Sequence, residues 1–465
     1  MVFDDLTSLS ITEASGLIRD GKLSPVELTR AHLERIERLD QEINSFITIT
    51  PDFALKRAQQ LEVELKQRKP RSPLFGIPMA LKDLYETRDI RTTAGSKFFR
   101  SNIPGEDGVV VQKLHQSGVI FLGKLNMHEI ALGVTSANPH FGTCKNPWSF
   151  DRIAGGSSGG SGAALAGGFC LGSMGSDTGG SVRIPASLCG IVGLKPTYGR
   201  ISVRGVIPLS WSLDHAGPMA RQVEDVALIL NAIAGFDPLD PFSKDIPVED
   251  YQAHIHEGVK NWRIGVADDE FFLHSNPEIT QALYQAGKVF EDLGAIVSKV
   301  DFPSARKAAR TNGIMTVADA AAFHLERIKN YPDDFGSDIR QRLQSGLAVS
   351  TTEYIQARRT QKILRRQFEI FFDDFDVLLT PTTPIVAPHI DRPDAVEQAK
   401  RLTRFTAPFN LTGMPAISLP CGFSDEGLPI GLQIISRPWD EAKVLRAAFS
   451  YECATGWHKS LPTLN

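Results

Sequence analysis

Apolar residues recur at helical spacing through the first seventy positions. Leu33, Ile36 and Leu39 fall on one helix face, and Ser24-Pro25-Val26-Glu27 supplies the start, with proline in the first turn. This pattern predicts packing helices. The period then changes: Leu74 to Leu81, a short apolar run containing Pro78, predicts a strand, and Val109 to Leu125 predicts a helix followed by the buried strand Val119-Ile120-Phe121-Leu122. Beyond residue 235, Asp237-Pro238-Leu239-Asp240-Pro241 marks a loop. Trp262 to Val266 predicts a strand, Pro277 to Leu293 a helix, and Val377-Leu378-Leu379, Ile417-Ser418-Leu419 and Ile430 to Ile434 further strands. The alternation indicates an α/β protein without internal repeats.

Composition narrows the function classes. With 42% hydrophobic and 22% charged residues over 465 positions, the chain can bury a large core. A net charge of -4 without basic blocks gives no footprint for nucleic acid. The five cysteines (Cys144, Cys170, Cys189, Cys421, Cys453) form no CxxC pair, as expected of reduced, mostly buried thiols. The start, Met1-Val2-Phe3-Asp4-Asp5, has no apolar leader, and no run reaches the roughly 18–20 apolar residues that span a bilayer, so the expected location is the cytoplasm, off the membrane.

The chemistry concentrates between Gly155 and Ser181. Gly155-Gly156-Ser157-Ser158-Gly159-Gly160-Ser161-Gly162 has the composition of a flexible linker, yet it runs into the apolar Ala163-Ala164-Leu165-Ala166 and reads better as tight turns in a packed structure. A phosphate-binding reading lacks the GK[ST] ending or a GxGxxG behind a clear strand. Gly155 to Gly159 also matches the GxSxG nucleophile elbow, which would make Ser157 the nucleophile, but Phe150-Asp151-Arg152-Ile153-Ala154 is no buried strand and no HGGG-type loop lies upstream. A second cluster, Gly175 to Pro185, discriminates. Ser181 follows Thr178-Gly179-Gly180, where successive backbone N–H groups can converge on an acyl oxygen, each such donor being worth about 2.7–4 kcal/mol.

These tracts, continuing through Cys189-Gly190-Ile191-Val192-Gly193-Leu194-Lys195-Pro196, resemble the amidase signature family. Gly76-Ile77-Pro78-Met79-Ala80-Leu81-Lys82-Asp83, Gly123 to Met127, Thr380 to Pro384 and Pro429 to Gln433 extend the resemblance over nearly the whole chain. It implies one α/β domain over residues 1–465 with a large central mixed sheet surrounded by helices. Its parts would be a helical segment (1–70), a signature core (71–235), a variable, substrate-shaping part (236–400) and a return to the core (401–465). It also implies a Ser-cisSer-Lys triad: Ser181 as acyl-forming nucleophile, Ser157 as bridging serine on a cis peptide after Gly156, and Lys82 as base. Thr178, Gly179, Gly180 and Ser181 would form the oxyanion hole, and no cofactor or metal is called for. A lysine can act as base only if burial lowers its pKa, and the apolar run before Lys82 predicts such burial.

Met127, Trp211 and His215 are candidate pocket residues, His215 reading first as a structural hydrogen-bonding residue, and Asp177 with Arg183 are expected to brace the loop. His254-Ile255-His256 has HxH spacing but no companion ligands, and reads as a solvated helix or loop. Within the family two activities stay open. One is a free-standing amidase acting on a small-molecule amide; the other is the glutaminase subunit of glutamyl-tRNA amidotransferase, which hydrolyses glutamine and passes ammonia to partner subunits. A third reading is a non-catalytic binding protein on the same scaffold. The amidotransferase glutaminases usually carry an acidic residue before the Pro408-Phe409-Asn410 motif that can hold glutamine's ammonium. Here Lys400-Arg401-Leu402-Thr403-Arg404 is basic, which together with Leu209-Ser210-Trp211-Ser212-Leu213-Asp214-His215 tips the expectation to the amidase; Arg401 and Arg404 read first as a solvated helix face and second as contacts for a substrate carboxylate, and a homodimer stays possible.

Overall fold

The computed structural model describes residues 5–67, 70, 72–302, 304–391 and 395–464, with only the backbone of 395 and 396; Met1 to Asp4 of the expected leaderless start lie outside them. Among these residues eleven strands form one sheet: β1 (Phe46–Ile49), β2 (Pro78–Lys82), β3 (Ile120–Leu125), β4 (Gly172–Asp177), β5 (Val192–Lys195), β6 (His215–Ala220), β7 (Arg263–Ala267), β8 (Ile296–Val300), β9 (Val377–Pro381), β10 (Ala416–Phe423) and β11 (Pro429–Ile435). Their order is β1-β3-β2-β4-β6-β5-β10-β11-β9-β7-β8. The sheet is mixed. β2 lies parallel to both β3 and β4, and β7 parallel to β8 and β9, while the strands from β4 to β9 pair antiparallel. Every residue of β2, β3 and β4 is buried, as expected where helices cover both faces.

The helices begin where the sequence places their caps. Ser24 accepts from the backbone N–H of Val26 and Glu27, Glu27 reaches back to the Ser24 N–H, and Pro25 opens the helix Pro25–Ile43. The first seventy residues are not helical throughout, however. Phe46-Ile47-Thr48-Ile49, mostly β-branched, forms the edge strand β1 against β3 between the helices Pro25–Ile43 and Pro51–Gln67. The Leu74 to Leu81 run narrows to a strand at Pro78–Lys82, its first half being a buried turn.

The glycine and serine tract is packed interior. Gly159–Ala166 is a fully buried helix, and a Cβ on Gly160 would stand 2.5 Å from the carbonyl oxygens of both Ser45 and Asn126. The segment before it, Ser149–Ile153, is a strand, but it pairs with Lys145–Asn146 in a separate ribbon, outside the large sheet that a nucleophile elbow would need. His254 and His256 lie beside different carboxylates, Glu257 and Glu224, at 2.6 Å and 3.6 Å. Among the described residues no helix is long and apolar enough to cross a membrane, and no three His, Cys, Asp or Glu side chains cluster as metal ligands would. Four cysteines are buried, Cys453 is exposed, and all five are free thiols.

Candidate active site

Because β2 and β4 run parallel, with Leu81 opposite Met174, their C-terminal ends emerge together. Lys82 ends β2; Ser176 and Asp177 end β4. Lys82 is fully buried, and its Nζ donates to Ser157 Oγ at 2.7 Å and to Ser176 Oγ at 2.8 Å. Burial lowers the lysine's pKa to about 7, against the opposing pull of the Asp214 and Asp177 carboxylates. Ser157 stands before the helix Gly159–Ala166, and the Gly156–Ser157 peptide is cis. The two glycine clusters interlock there: Ser158 N–H donates to Ser181 O at 3.3 Å, and Ser158 Oγ donates to Ser176 O at 3.2 Å.

Ser181 lies in the turn between β4 and the helix Arg183–Cys189, 7% exposed, at the wall of a cavity of about 140 Å³. Its hydroxyl makes no hydrogen bond among the described residues; Lys82 and Ser157 are joined directly, whereas Ser157 and Ser181 are not bonded in this state. Size does not locate the site, since a hollow of about 710 Å³ beside the helix Pro25–Ile43 holds no nucleophile.

The loop's shape comes from Asp177. Its carboxylate accepts from Gly180 N–H at 2.7 Å and Val182 N–H at 3.1 Å, and pairs with Arg183 through Nε and Nη2, both at 3.0 Å. Burial alone would raise this carboxyl, but Arg183, Lys195 and Asn410 hold it well below the usual carboxylate range. Arg183, itself fully buried, also donates to Gln433 Oε1 at 2.6 Å, Asn410 Oδ1 at 2.6 Å and Thr406 O at 3.1 Å. An Arg183→Leu substitution strands the buried Asp177 charge. It is expected to cost about 3–5 kcal/mol, read as a lowered denaturant midpoint.

This bracing corrects the oxyanion expectation at one position. The Gly180 N–H is committed to Asp177, which leaves the N–H groups of Thr178, Gly179 and Ser181 without partners among the described residues. Gly180 serves by shape instead. Its φ is +134°, and a Cβ there would stand 2.1 Å from Thr406 Oγ1, a hydroxyl that donates to Gly179 O.

The three pocket candidates are not where the sequence suggested. Met127 follows β3 and is fully buried, its backbone held by Asn126 and Asn138. Trp211, 43% exposed, packs edge-on to Phe323 and borders a neighbouring hollow with Val206 and Leu239; Leu209 lines the Ser181 cavity in its stead. His215 is buried beneath the loop with Nδ1 2.6 Å from Leu213 O, and burial pushes its pKa well down. Arg401 bonds Gln398 beside a different hollow, and Arg404 lies over the ring of Phe271. The residues that do face Ser181 include Ala309, Asn312, Thr316 and Val317 of the helix Ala305–Phe323, together with Arg342 of the helix Ser337–Leu347. No sequence motif marked these two helices. Ser176, Asn410 and Gln433 stood inside recognisable motifs without an assigned role.

Lys82, Ser157 and Ser176 meet at the ends of β2 and β4, and the sequence comparisons give the class, an amidase-type enzyme. The sequence model of the amidase family matches residues 27–445, and the chain belongs to that family, the amidase signature enzymes. It is 39% identical over 480 residues to the A-type subunit of the glutamyl-tRNA(Gln) amidotransferase of Geobacter sp. (strain M21), covering 98% of this chain and 99% of that one. Among solved structures, one from a vestigial protein complex tied to the evolutionary origins of an s-triazine catabolic enzyme matches with TM-score 0.92 and 34% identity, over 98% of this chain and 100% of that one. The corresponding glutamyl-tRNA(Gln) amidotransferase chain of Thermotoga maritima matches with TM-score 0.85 and 32% identity, over 100% of both chains.

Proposed function

We propose that the chain hydrolyses a carboxylic amide through an acyl-enzyme on Ser181, with Ser157 relaying the proton and Lys82 as base. The observation that carries this is the fully buried Lys82 Nζ at 2.7 Å from Ser157 Oγ, with burial lowering its pKa to about 7. A lysine neutral near pH 7 has a lone pair for a serine proton, which an ordinary lysine lacks. Ser181 Oγ attacks the amide carbon, its proton passing to Ser157 as the Ser157 proton passes to Lys82. The N–H groups of Thr178, Gly179 and Ser181 take the oxyanion. The proton returns by the same path to the departing nitrogen, and water then cleaves the ester.

Two readings of the substrate follow. The names of the relatives favour an ammonia-releasing subunit that hydrolyses glutamine beside partner subunits, and this reading stands ahead of the free-standing amidase that the basic Lys400 to Arg404 segment suggested. One observation favours the free-standing reading: among the described residues no carboxylate lines the Ser181 cavity to receive glutamine's ammonium.

The test is a fluorophosphonate probe followed by peptide mass spectrometry, together with ammonia release from glutamine and simple amides, with and without amidotransferase partner subunits. An adduct on Ser181 is expected; labelling elsewhere, or none, overturns the proposal. Glutaminase activity that needs the partners supports the first substrate reading, and turnover of simple amides by the chain alone supports the second.

A further inference from the structure

Among the described residues the wall of the Ser181 cavity bears a single charged side chain, Arg342. This arginine is half-buried on the helix Ser337–Leu347 and forms no ion pair or side-chain hydrogen bond among the described residues, although Asp338 stands one turn earlier. The nearby acids are all occupied. Asp338 faces His128 Nε2 at 3.1 Å; Asp214 accepts from Thr178 Oγ1 and from the N–H groups of Leu209 and Ser210; Asp319 accepts from Ser210, Ser212 and Tyr354. The remaining polar wall is neutral, including Thr316, whose buried Oγ1 has no partner among the described residues, and Asn312, whose Nδ2 is spent on Thr178 O.

From this charge pattern we infer that the cavity selects small amides carrying a carboxylate at the end remote from the scissile bond and no ammonium group, with Arg342 as the specificity-determining residue. A guanidinium presents forked donors that match a carboxylate, and Arg342, whose charge helps lower the Asp338 carboxyl without a direct ion pair to it, keeps those donors for a ligand. An ammonium on the same substrate would meet Arg342 with no acid among the described residues of the cavity wall to offset the repulsion. The cavity is small, about 140 Å³, and the substrate class this points to is a short-chain monoamide of a dicarboxylic acid.

The inference rests on Ser181 being the nucleophile and takes the free-standing reading of the substrate against the glutaminase one, so its test includes glutamine and has an arm independent of turnover. kcat/KM is measured on the monoamides of malonic, succinic, glutaric and adipic acid, on glutamine, and on neutral aliphatic amides of matching length. In parallel, binding of the corresponding dicarboxylates is measured by calorimetry, for the wild type and Arg342→Gln. One of the four monoamides is expected to exceed its neutral counterpart, and also glutamine, by at least about tenfold. Arg342→Gln is expected to remove that preference and the dicarboxylate binding, leaving neutral amides within a few-fold and fluorophosphonate labelling of Ser181 unchanged. Neutral amides or glutamine used as well as the monoamides, or equal losses on every substrate in the variant, would overturn it. If nothing is hydrolysed but a dicarboxylate binds and Arg342→Gln abolishes the binding, the assignment of Ser181 fails while that of Arg342 stands; no binding and no turnover sink both.

Discussion

Replacing Ser181 with alanine is expected to lower kcat by roughly 10³–10⁶-fold on whichever amide the enzyme accepts, the upper end being the scale seen when a serine hydrolase loses its nucleophile. The fold should survive the change. Ser181 Oγ holds no hydrogen bond among the described residues, and the loop keeps its form through Asp177, Arg183 and the Ser158 N–H bond to Ser181 O. Unchanged denaturation with turnover lost would place the effect in the chemistry. A variant that keeps even a tenth of the wild-type rate would remove Ser181 from the mechanism.

Lys82→Met is the second large change, expected to reduce kcat by about 10²–10⁴-fold, the usual contribution of a positioned base. Methionine fills most of the buried volume without a basic nitrogen, although it leaves the Ser157 and Ser176 hydroxyls without their partner. The pH profile separates chemistry from damage. Lys82 works only when neutral, so wild-type kcat/KM should fall about tenfold per unit below a midpoint of about 7. Because the Asp214 charge raises the lysine's pKa, Asp214→Asn should shift that limb to lower pH. An acid limb that Asp214→Asn leaves unmoved would assign it to another group.

Elements with a strong local pattern were legible in the sequence. The helix Pro25–Ile43 announced itself through Ser24 and Glu27, and β9, β10 and β11 through their apolar runs, because these signals lie within a few residues of what they specify. β1 was not legible: four residues between two helices become a strand only because β3 offers an edge. Lys82 and Ser157 were found as motif members, and the structure joins them across 75 residues of sequence. The cavity wall was opaque for the opposite reason. Arg342 and Thr316 sit on ordinary amphipathic helices, and only the packing of those helices over the Ser181 turn sets them apart from any exposed arginine or threonine. The basic stretch Lys400 to Arg404 read first as a solvated helix face and only second as a substrate contact; its arginines reach Gln398 and Phe271, while Thr403 between them lines the cavity.

The contacts of Arg183 impose an order of events on synthesis. Its partners Thr406, Asn410 and Gln433 lie 223, 227 and 250 residues further along the chain. A ribosome that has just released Arg183 has yet to make these three groups, and the chain more than doubles in length before Gln433 is added. A chain terminated before Thr406 would carry Lys82, Ser157 and Ser181 without three of the groups that hold Arg183.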